Sequence, residues 1–326
     1  MVAGGTEVMV RVNAGQLRPR GLILIDRVDE LRGVWVTGGE VILGAATTCA
    51  DLVHAEVREV LPALAQAART VGGPGLRSRA TLGGNLLSGR RPGGPTVPTP
   101  GRDLLCALIA LRAVAVCRAP GTWRQVPITE LYARDGGVQL GPCELLTALR
   151  VPVAAGPQGF MKVGARGAAA RPVLTFALAA DQAAHTVTCA IGGFAPTAAR
   201  VDHAGQWLAG QVDWAAGAIP DPAVYGQFAR LVAEGLSAPP VAGPAGLSTA
   251  GVPREYRQRA AEVCARRALV RALPPAGWLD QVAEYQKRAQ FLRQRAAVER
   301  AERGLPSGPP VPDAGPPLVS PEGGFR

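Results

Sequence analysis

Residues Thr81–Pro95 read TLGGNLLSGRRPGGP. Two glycines and an amide open the stretch, and arginine, glycine and proline close it. The fold turns on whether it is a loop that holds a ligand or a glycine-rich turn. Glycine content alone decides nothing, because at this abundance about five Gly-Gly pairs arise by chance, and the sequence has eight. Context says more. Ala3–Val10, AGGTEVMV, repeats the pattern of a small residue or Thr, two glycines and then a polar group at the edge of a structured element. Such a loop can turn backbone N–H groups onto an anion. Glycine has no Cβ to hold a phosphate away, and the side chains of Thr6, Thr81 and Asn85 can add hydrogen bonds. Two such loops could grip a diphosphate, with ordinary turns as the alternative that spacing leaves open.

The chain has 326 residues, 48% of them hydrophobic and 18% charged, enough to bury a large core and to form two domains. No apolar run reaches the roughly 20 residues of a membrane span. The longest candidate, LLCALIALRAVAVC (Leu104–Cys117), is cut by Arg112 and reads as a buried element. The start, MVAGGTEVMVRVNAG, lacks a basic region followed by an apolar one, so a cytoplasmic protein is expected. Six cysteines stand singly in apolar surroundings with no C-x-x-C pair, which favours buried free thiols over zinc or a redox dithiol. His54, His185 and His203 are scattered and fit core or surface roles better than ligation. The net charge of +10 is almost wholly arginine, since Lys162 and Lys287 are the only lysines. Arg254–Arg303 holds 12 basic and 6 acidic residues. These alternate at helical spacing with few aromatics, which fits a solvated helix or a docking face for a partner subunit better than a nucleic-acid site.

Along the chain, LILID (Leu22–Asp26) and EVILG (Glu40–Gly44) read as strands. ADLVHAEVREVLPALAQAARTVG (Ala50–Gly72) has apolar residues at three- and four-residue spacing and reads as a helix capped by Thr47 or Thr48. AAGPQG (Ala154–Gly159) reads as a domain boundary. Beyond it come a helical run at Pro172–Gln182, a strand in HTVTCAIGGFAP (His185–Pro196) and a helix in EYRQRAAEVCARRALVRAL (Glu255–Leu273), stopped by Pro274 and Pro275. Asp280–Arg303 reads as a lone helix, and the proline- and glycine-rich Gly304–Arg326 as a disordered or polyproline-like tail. The expectation is an α+β protein with domains at 1–153 and 158–273 and an extension at 274–326.

An ordered set of segments carries a resemblance: AGGTEVMV, LILIDRVDELRGV, VILGAATTCADL and ALAQAARTVGGPGLRSRATLGGN, then GFMKVGARGAAARPV, TCAIGGFAPTAAR and EYRQRAAEVCARRAL. In order and spacing, from about Ala3 to Leu273, they resemble the FAD-binding medium subunit of the molybdenum hydroxylases of the carbon monoxide and xanthine dehydrogenase type. The resemblance implies a PCMH-type FAD-binding domain of two α+β subdomains followed by a flavoprotein C-terminal domain. It implies that Ala3, Gly4, Gly5, Thr6 and Glu7, with Thr81, Gly83, Gly84 and Asn85, hold the FAD diphosphate. The family's Pro-x-x-Asp segment falls on Pro100–Asp103, so Asp103 is expected to hydrogen-bond the FAD chain near the ribityl or ring. Its F-x-K-x-x-x-R motif falls on Phe160, Lys162 and Arg166. An ammonium at Lys162, close to the pyrimidine edge of a flavin, would raise its potential; the alternative is a salt-bridge lysine at the surface. The resemblance also implies partners: a molybdopterin-binding large subunit and a small subunit with two [2Fe-2S] clusters. Electrons would pass from these to FAD and on to NAD, a quinone or O2, with no acid–base catalyst on this chain.

The sequence departs from the family pattern in places. Only Met1 and Val2 precede the first glycine loop, where the family has a few dozen residues, so either the start is misassigned or the domain is truncated, and a missing edge strand would leave the Gly4-Gly5 loop poorly fixed. The family's Gln-Ile-Arg-Asn stands as Gly75, Leu76, Arg77 and Ser78, and GRRPGGPTVPTP lengthens the link after the second loop. Ser88–Arg102 holds no cysteine, so no iron is expected on this chain. These departures motivate a rival reading, an assembly or scaffold subunit without FAD, and a third is a stand-alone flavoenzyme with its own substrate.

Overall fold

Two antiparallel sheets organise the chain in a computed structural model that describes residues 1–89, 102–133, 136–164, 166, 170–193, 197–236 and 252–277. Met1–Leu273 forms one compact unit; of the other, Pro274–Arg326, only 274–277 are described. The first sheet runs β1-β2-β5-β3-β4, built from β1 (Val34–Thr37), β2 (Glu40–Gly44), β3 (Val114–Ala119), β4 (Thr122–Pro127) and β5 (Leu145–Pro152). Period-two alternation buries Val41 and Leu43 on β2 opposite Val151 and Leu149 on β5, and Ala115 on β3 stands opposite Leu149.

EVILG is the strand its alternation predicts, but LILID is not. Leu24 makes only an isolated parallel bridge with Val2, whose N–H donates to the Ile23 carbonyl while its own carbonyl accepts from Ile25 N–H. With a single residue beside it the segment has no ladder to join, and Ile23 and Leu24 lie exposed. The expected helix over Ala50–Gly72 is broken into a turn at Asp51–Val53, α2 (Ala55–Val60) and α3 (Pro62–Arg69). The cause is Pro62, which lacks an N–H and crowds the preceding turn, and so begins a helix. Thr48 makes the cap: its Oγ1 accepts from Asp51 N–H at 3.1 Å, and Asp51 Oδ2 accepts from Thr48 N–H at 3.0 Å.

Leu104–Cys117 is buried in two pieces. All eight residues of α6 (Asp103–Ala110) are buried, and Arg112, at φ 55, turns the chain into β3. This helix packs on α3 and against the strands Pro172–Asp181 and Thr186–Gly192 of the second sheet.

That sheet runs β6-β7-β8-β9, from β6 (Gln158–Gly164), β7 (Pro172–Asp181), β8 (Thr186–Gly192) and β9 (Ala199–Arg200). Pro172–Gln182, expected to be helical, is the central strand β7. Ala177 and Ala179 join the core around α6, while Leu174, Phe176, Leu178 and Ala180 join a second core under α7 (Asp202–Ala209), α8 (Ala223–Glu234) and α9 (Arg254–Ala272). A strand covered on both faces reads as an unbroken apolar run, which periodicity cannot tell from a buried helix. The final helix matches its expectation, burying Ala261, Cys264, Ala265, Ala268 and Leu269 at three- and four-residue spacing. In the same core Phe176 and Phe228 meet edge to face at 6.1 Å. The expected helix at Asp280–Arg303, the tail at Gly304–Arg326 and nearly all of GRRPGGPTVPTP lie outside the described residues.

Candidate functional site

The two glycine loops, Ala3–Glu7 and Thr81–Asn85, are far apart in sequence and lie together. Gly4 touches the segment that leads into the second loop: a Cβ there would lie 1.7 Å from the Arg79 carbonyl oxygen, a contact only glycine can make. Gly5 takes φ +73, a left-handed conformation that glycine adopts without cost. Glu7 then reaches across the gap, its Oε1 accepting from Gly89 N–H at 3.2 Å.

Hydrogen bonding divides the labour between the loops. In the second, Thr81 pairs with Thr48, and its Oγ1 accepts from Gly84 N–H at 3.1 Å. Leu82 and Gly83 donate to the carbonyls of Thr47 and Ala45, and Asn85 N–H donates to the Thr81 carbonyl. The amides of Leu82, Gly83, Gly84 and Asn85 are therefore spent inside the chain, contrary to the expectation that they turn onto an anion. What this loop offers is close approach, since Gly84 is exposed and has no side chain. In the first loop no partner is found among the described residues for the N–H groups of Ala3, Gly4, Gly5 or Thr6. Four successive unpaired donors around two glycines form the more anion-receptive of the two loops.

Asn85 connects the second loop to α6, its Oδ1 accepting from Leu104 N–H at 3.3 Å. The preceding residue, Asp103, pairs with Lys162 of β6, with Nζ 2.8 Å from Oδ2 and side chains only 7% and 9% exposed. Lys162 also donates to the Thr70 carbonyl at the end of α3, at 3.1 Å. This is a buried pair rather than a surface salt bridge. The other carboxylate oxygen, Asp103 Oδ1, is buried with no hydrogen-bond partner among the described residues. Burial pushes the Asp103 carboxyl up to about 6, against the pull of the ammonium beside it. Phe160 is buried two residues before Lys162, its N–H donating to Gln66 Oε1 at 2.9 Å, whereas Arg166 is exposed. Pro100 is outside the described residues.

One group went unnoticed in the sequence. Arg102 is 7% exposed, donates to the carbonyls of Ser88 (2.9 Å) and Gly136 (3.4 Å), and lies 4.8 Å above the Tyr132 ring. Tyr132 in turn donates to the Leu86 carbonyl at 3.0 Å. Burial lowers the Arg102 pKa, opposed by Tyr132 and Glu7. Nothing in its local sequence marks it except a charge directly before an apolar helix.

Five cysteines are buried and Cys143 is exposed; burial pushes Cys49, Cys106 and Cys189 up to about 12, so these are inert thiols. Among the described residues no group of His, Cys, Asp or Glu is placed to hold a metal ion, and no helix is long and apolar enough to cross a membrane.

Residues 1–154 match the family of the FAD binding domain in molybdopterin dehydrogenase. The carbon monoxide dehydrogenase medium chain of Hydrogenophaga pseudoflava is 31% identical over 161 residues, 49% of this chain and 53% of that protein. The medium chain from Afipia carboxidovorans is 28% identical over 281 residues, 83% of this chain and 88% of its own length. Against several of its curated relatives the match spans about half of their length. Among solved structures, the carbon monoxide dehydrogenase from Hydrogenophaga pseudoflava superposes with a TM-score of 0.66 at 26% identity, covering 83% of this chain and 88% of that one. Residues 1–154 thus match an FAD-binding domain of the molybdopterin dehydrogenase type, and the described fold is similar to that of carbon monoxide dehydrogenase.

Proposed function

We propose that this chain is the FAD-binding, electron-transferring subunit of a heteromeric molybdopterin-dependent oxidoreductase, with a flavin module at 1–153 and a C-terminal flavoprotein module at 158–273. One observation carries the reading. Four backbone donors at Ala3–Thr6, without a partner among the described residues, are drawn against the second glycine loop, which is itself fastened to Leu104 N–H, next to the buried Asp103 carboxylate whose Oδ1 also lacks a partner among them. These residues fit the cofactor: the unpaired donors suit a diphosphate, the bare Gly4 and Gly84 admit its close approach, and Asp103 Oδ1 suits a hydroxyl or ring N–H.

In this assignment Ala3, Gly4, Gly5 and Thr6 bind the diphosphate, and Glu7 holds the first loop to the second. Thr81, Gly83, Gly84 and Asn85 shape the facing wall, Asp103 accepts a hydrogen bond from the cofactor, and Lys162 sets the charge around it. When bound, FAD would take single electrons from the [2Fe-2S] clusters of a small partner subunit, fed by a molybdopterin-bearing large one, and pass them in pairs to NAD, a quinone or O2. The chain's own work is placement. Lys162 places its ammonium, paired with Asp103, where water is scarce, so its field favours negative charge that builds nearby. The Asn85 bond to α6 ties the position of Asp103 to that of the loop. Substrate specificity would reside in the large partner.

The test is direct. The full chain is purified, and its flavin is measured by absorbance and after acid release. Stoichiometric FAD, a copurifying partner that contains iron, and loss of the flavin on Gly4→Val support the reading. A chain that stays colourless after incubation with FAD, yet copurifies with its partners, overturns it in favour of a scaffold; flavin reduced by a small substrate without partners would make it a stand-alone flavoenzyme.

A further inference from the structure

The charge on Arg102 has no use in the assignment above. Its guanidinium is buried, and its two terminal nitrogens contact only neutral carbonyls, those of Ser88 and Gly136. Its Nε is buried without a hydrogen-bond partner among the described residues. Among the described residues no carboxylate forms an ion pair with it. A guanidinium does not discharge at any physiological pH. A buried charge without a counter-charge is costly, and native chains pair such groups or keep them for a ligand. The structural support that Arg102 gives, a fork over two carbonyls, could be supplied by uncharged donors.

Position narrows the choice of ligand. Ser88 lies three residues past Asn85 of the second glycine loop, and the adjoining Gly89 is the donor to Glu7 of the first. Arg102 is also the residue directly before Asp103. It therefore borders the place where both loops meet, and the nearby carboxylate whose field it feels, Glu7, belongs to the loop with the unpaired donors. An anion held there would supply the ion-pair partner that the described residues do not.

We infer that Arg102 is a specificity-determining residue that favours the doubly charged diphosphate form of the flavin over forms without phosphate, acting by charge from behind the glycine loops. This rests on the flavin reading, and it adds a residue outside both loops that discriminates between flavins. The guanidinium need not touch the ligand: at the effective dielectric of a partly buried site, Coulomb attraction still acts across a second layer of atoms.

The experiment compares the full-length protein with Arg102→Gln, Arg102→Lys and Tyr132→Phe, titrating the flavin-free form of each with FAD and with riboflavin by fluorescence. Gln and Lys both break the fork to Ser88 and Gly136, and they differ in charge. The expectation is that R102Q binds FAD at least tenfold more weakly, with riboflavin affinity within twofold of wild type. R102K should recover most of the FAD affinity, and Y132F, which keeps the charge and loses the Leu86 contact, should keep the FAD-to-riboflavin ratio. Equal losses for both flavins in R102Q, or no loss for either, would overturn the inference and leave Arg102 a packing residue. If R102Q does not fold, R102K decides alone: an unchanged ratio supports the charge role, and a ratio that falls as FAD weakens overturns it. A wild-type chain that binds neither flavin defeats the flavin reading itself, an outcome distinct from the others.

Discussion

Asp103 and Lys162 show most clearly how single residues set this site, because 59 positions of sequence separate two side chains that share one buried bond. The Asp103 carboxyl is raised from its ordinary value to about 6. A carboxyl raised on folding gives its stabilisation below the unfolded value of about 4, and that stabilisation fades as pH rises through about 6. Lys162→Met removes the ammonium that restrains the rise and leaves an unpaired buried carboxylate at high pH. Its cost should therefore be about 3–5 kcal/mol at pH 8 and smaller by at least 1 kcal/mol at pH 5, where the carboxyl can take a proton; urea unfolding at both values checks this. Equal losses at pH 5 and 8 would refute it. Gly4→Ala tests the other side of the site. A Cβ at 1.7 Å from the Arg79 carbonyl has no flexible neighbour to displace, so the loop must lift away. Bound FAD should fall below about a tenth of the wild-type content, while overall stability drops by only about 1–3 kcal/mol, the range for overpacking, since the loop is half-buried and can move without opening either core.

At the scale of elements, the sequence told most where structure is local and least where it is shared. The glycine loops, EVILG, the C-terminal helix and the buried run after Asp103 were legible because turn chemistry and one-sided periodicity are written in neighbouring residues. Pro62 was just as visible, and its meaning as a helix start should have split Ala50–Gly72. The strand β7 was not legible, since PVLTFALAAD is apolar on both faces and only the layers on either side make it a strand. Arg102 escaped for a similar reason, as its partners at Ser88 and Gly136 lie 14 and 34 residues away. The two faces of β7 yield a prediction that a helix would not. Phe176 serves the core under α8 and α9, whereas Ala177, its neighbour, faces the core around α6. Phe176→Ala should cost about 3–5 kcal/mol and leave FAD affinity near that of wild type in the folded fraction. Ala177→Leu should cost less, about 1–3 kcal/mol, yet weaken FAD, because it presses on the helix that begins with Asp103. Melting curves and flavin titrations of the two variants together check the contrast, and identical profiles would contradict it.

Across the whole molecule, the proposed site draws on both sheets. The second glycine loop is tied to Ala45 and Thr47 just past β2 of the first, while Asp103 opens a helix packed on the second and pairs with Lys162 of β6, which also reaches the end of α3. A ligand that engages all of them stabilises the folded chain as one body, by an amount set by mass action: about 2.7 kcal/mol when its concentration is a hundred times Kd. For a unit of this size that corresponds to a rise of several degrees in Tm, at about 2–4 °C per kcal/mol. Stripping FAD should therefore lower Tm by that amount, and the loss should be spread unevenly. Amide exchange ought to quicken at Ala3–Glu7, where no internal hydrogen bond protects the first loop, and also along β6 around Lys162, which the ligand would reach through the buried pair. At Leu82–Asn85 it should change less, since those amides are already bonded within the chain. Exchange measured with and without FAD separates the possibilities. Faster exchange confined to the first loop would mean that the cofactor is held by its diphosphate alone, and that Asp103 and Lys162 serve only to join the two sheets.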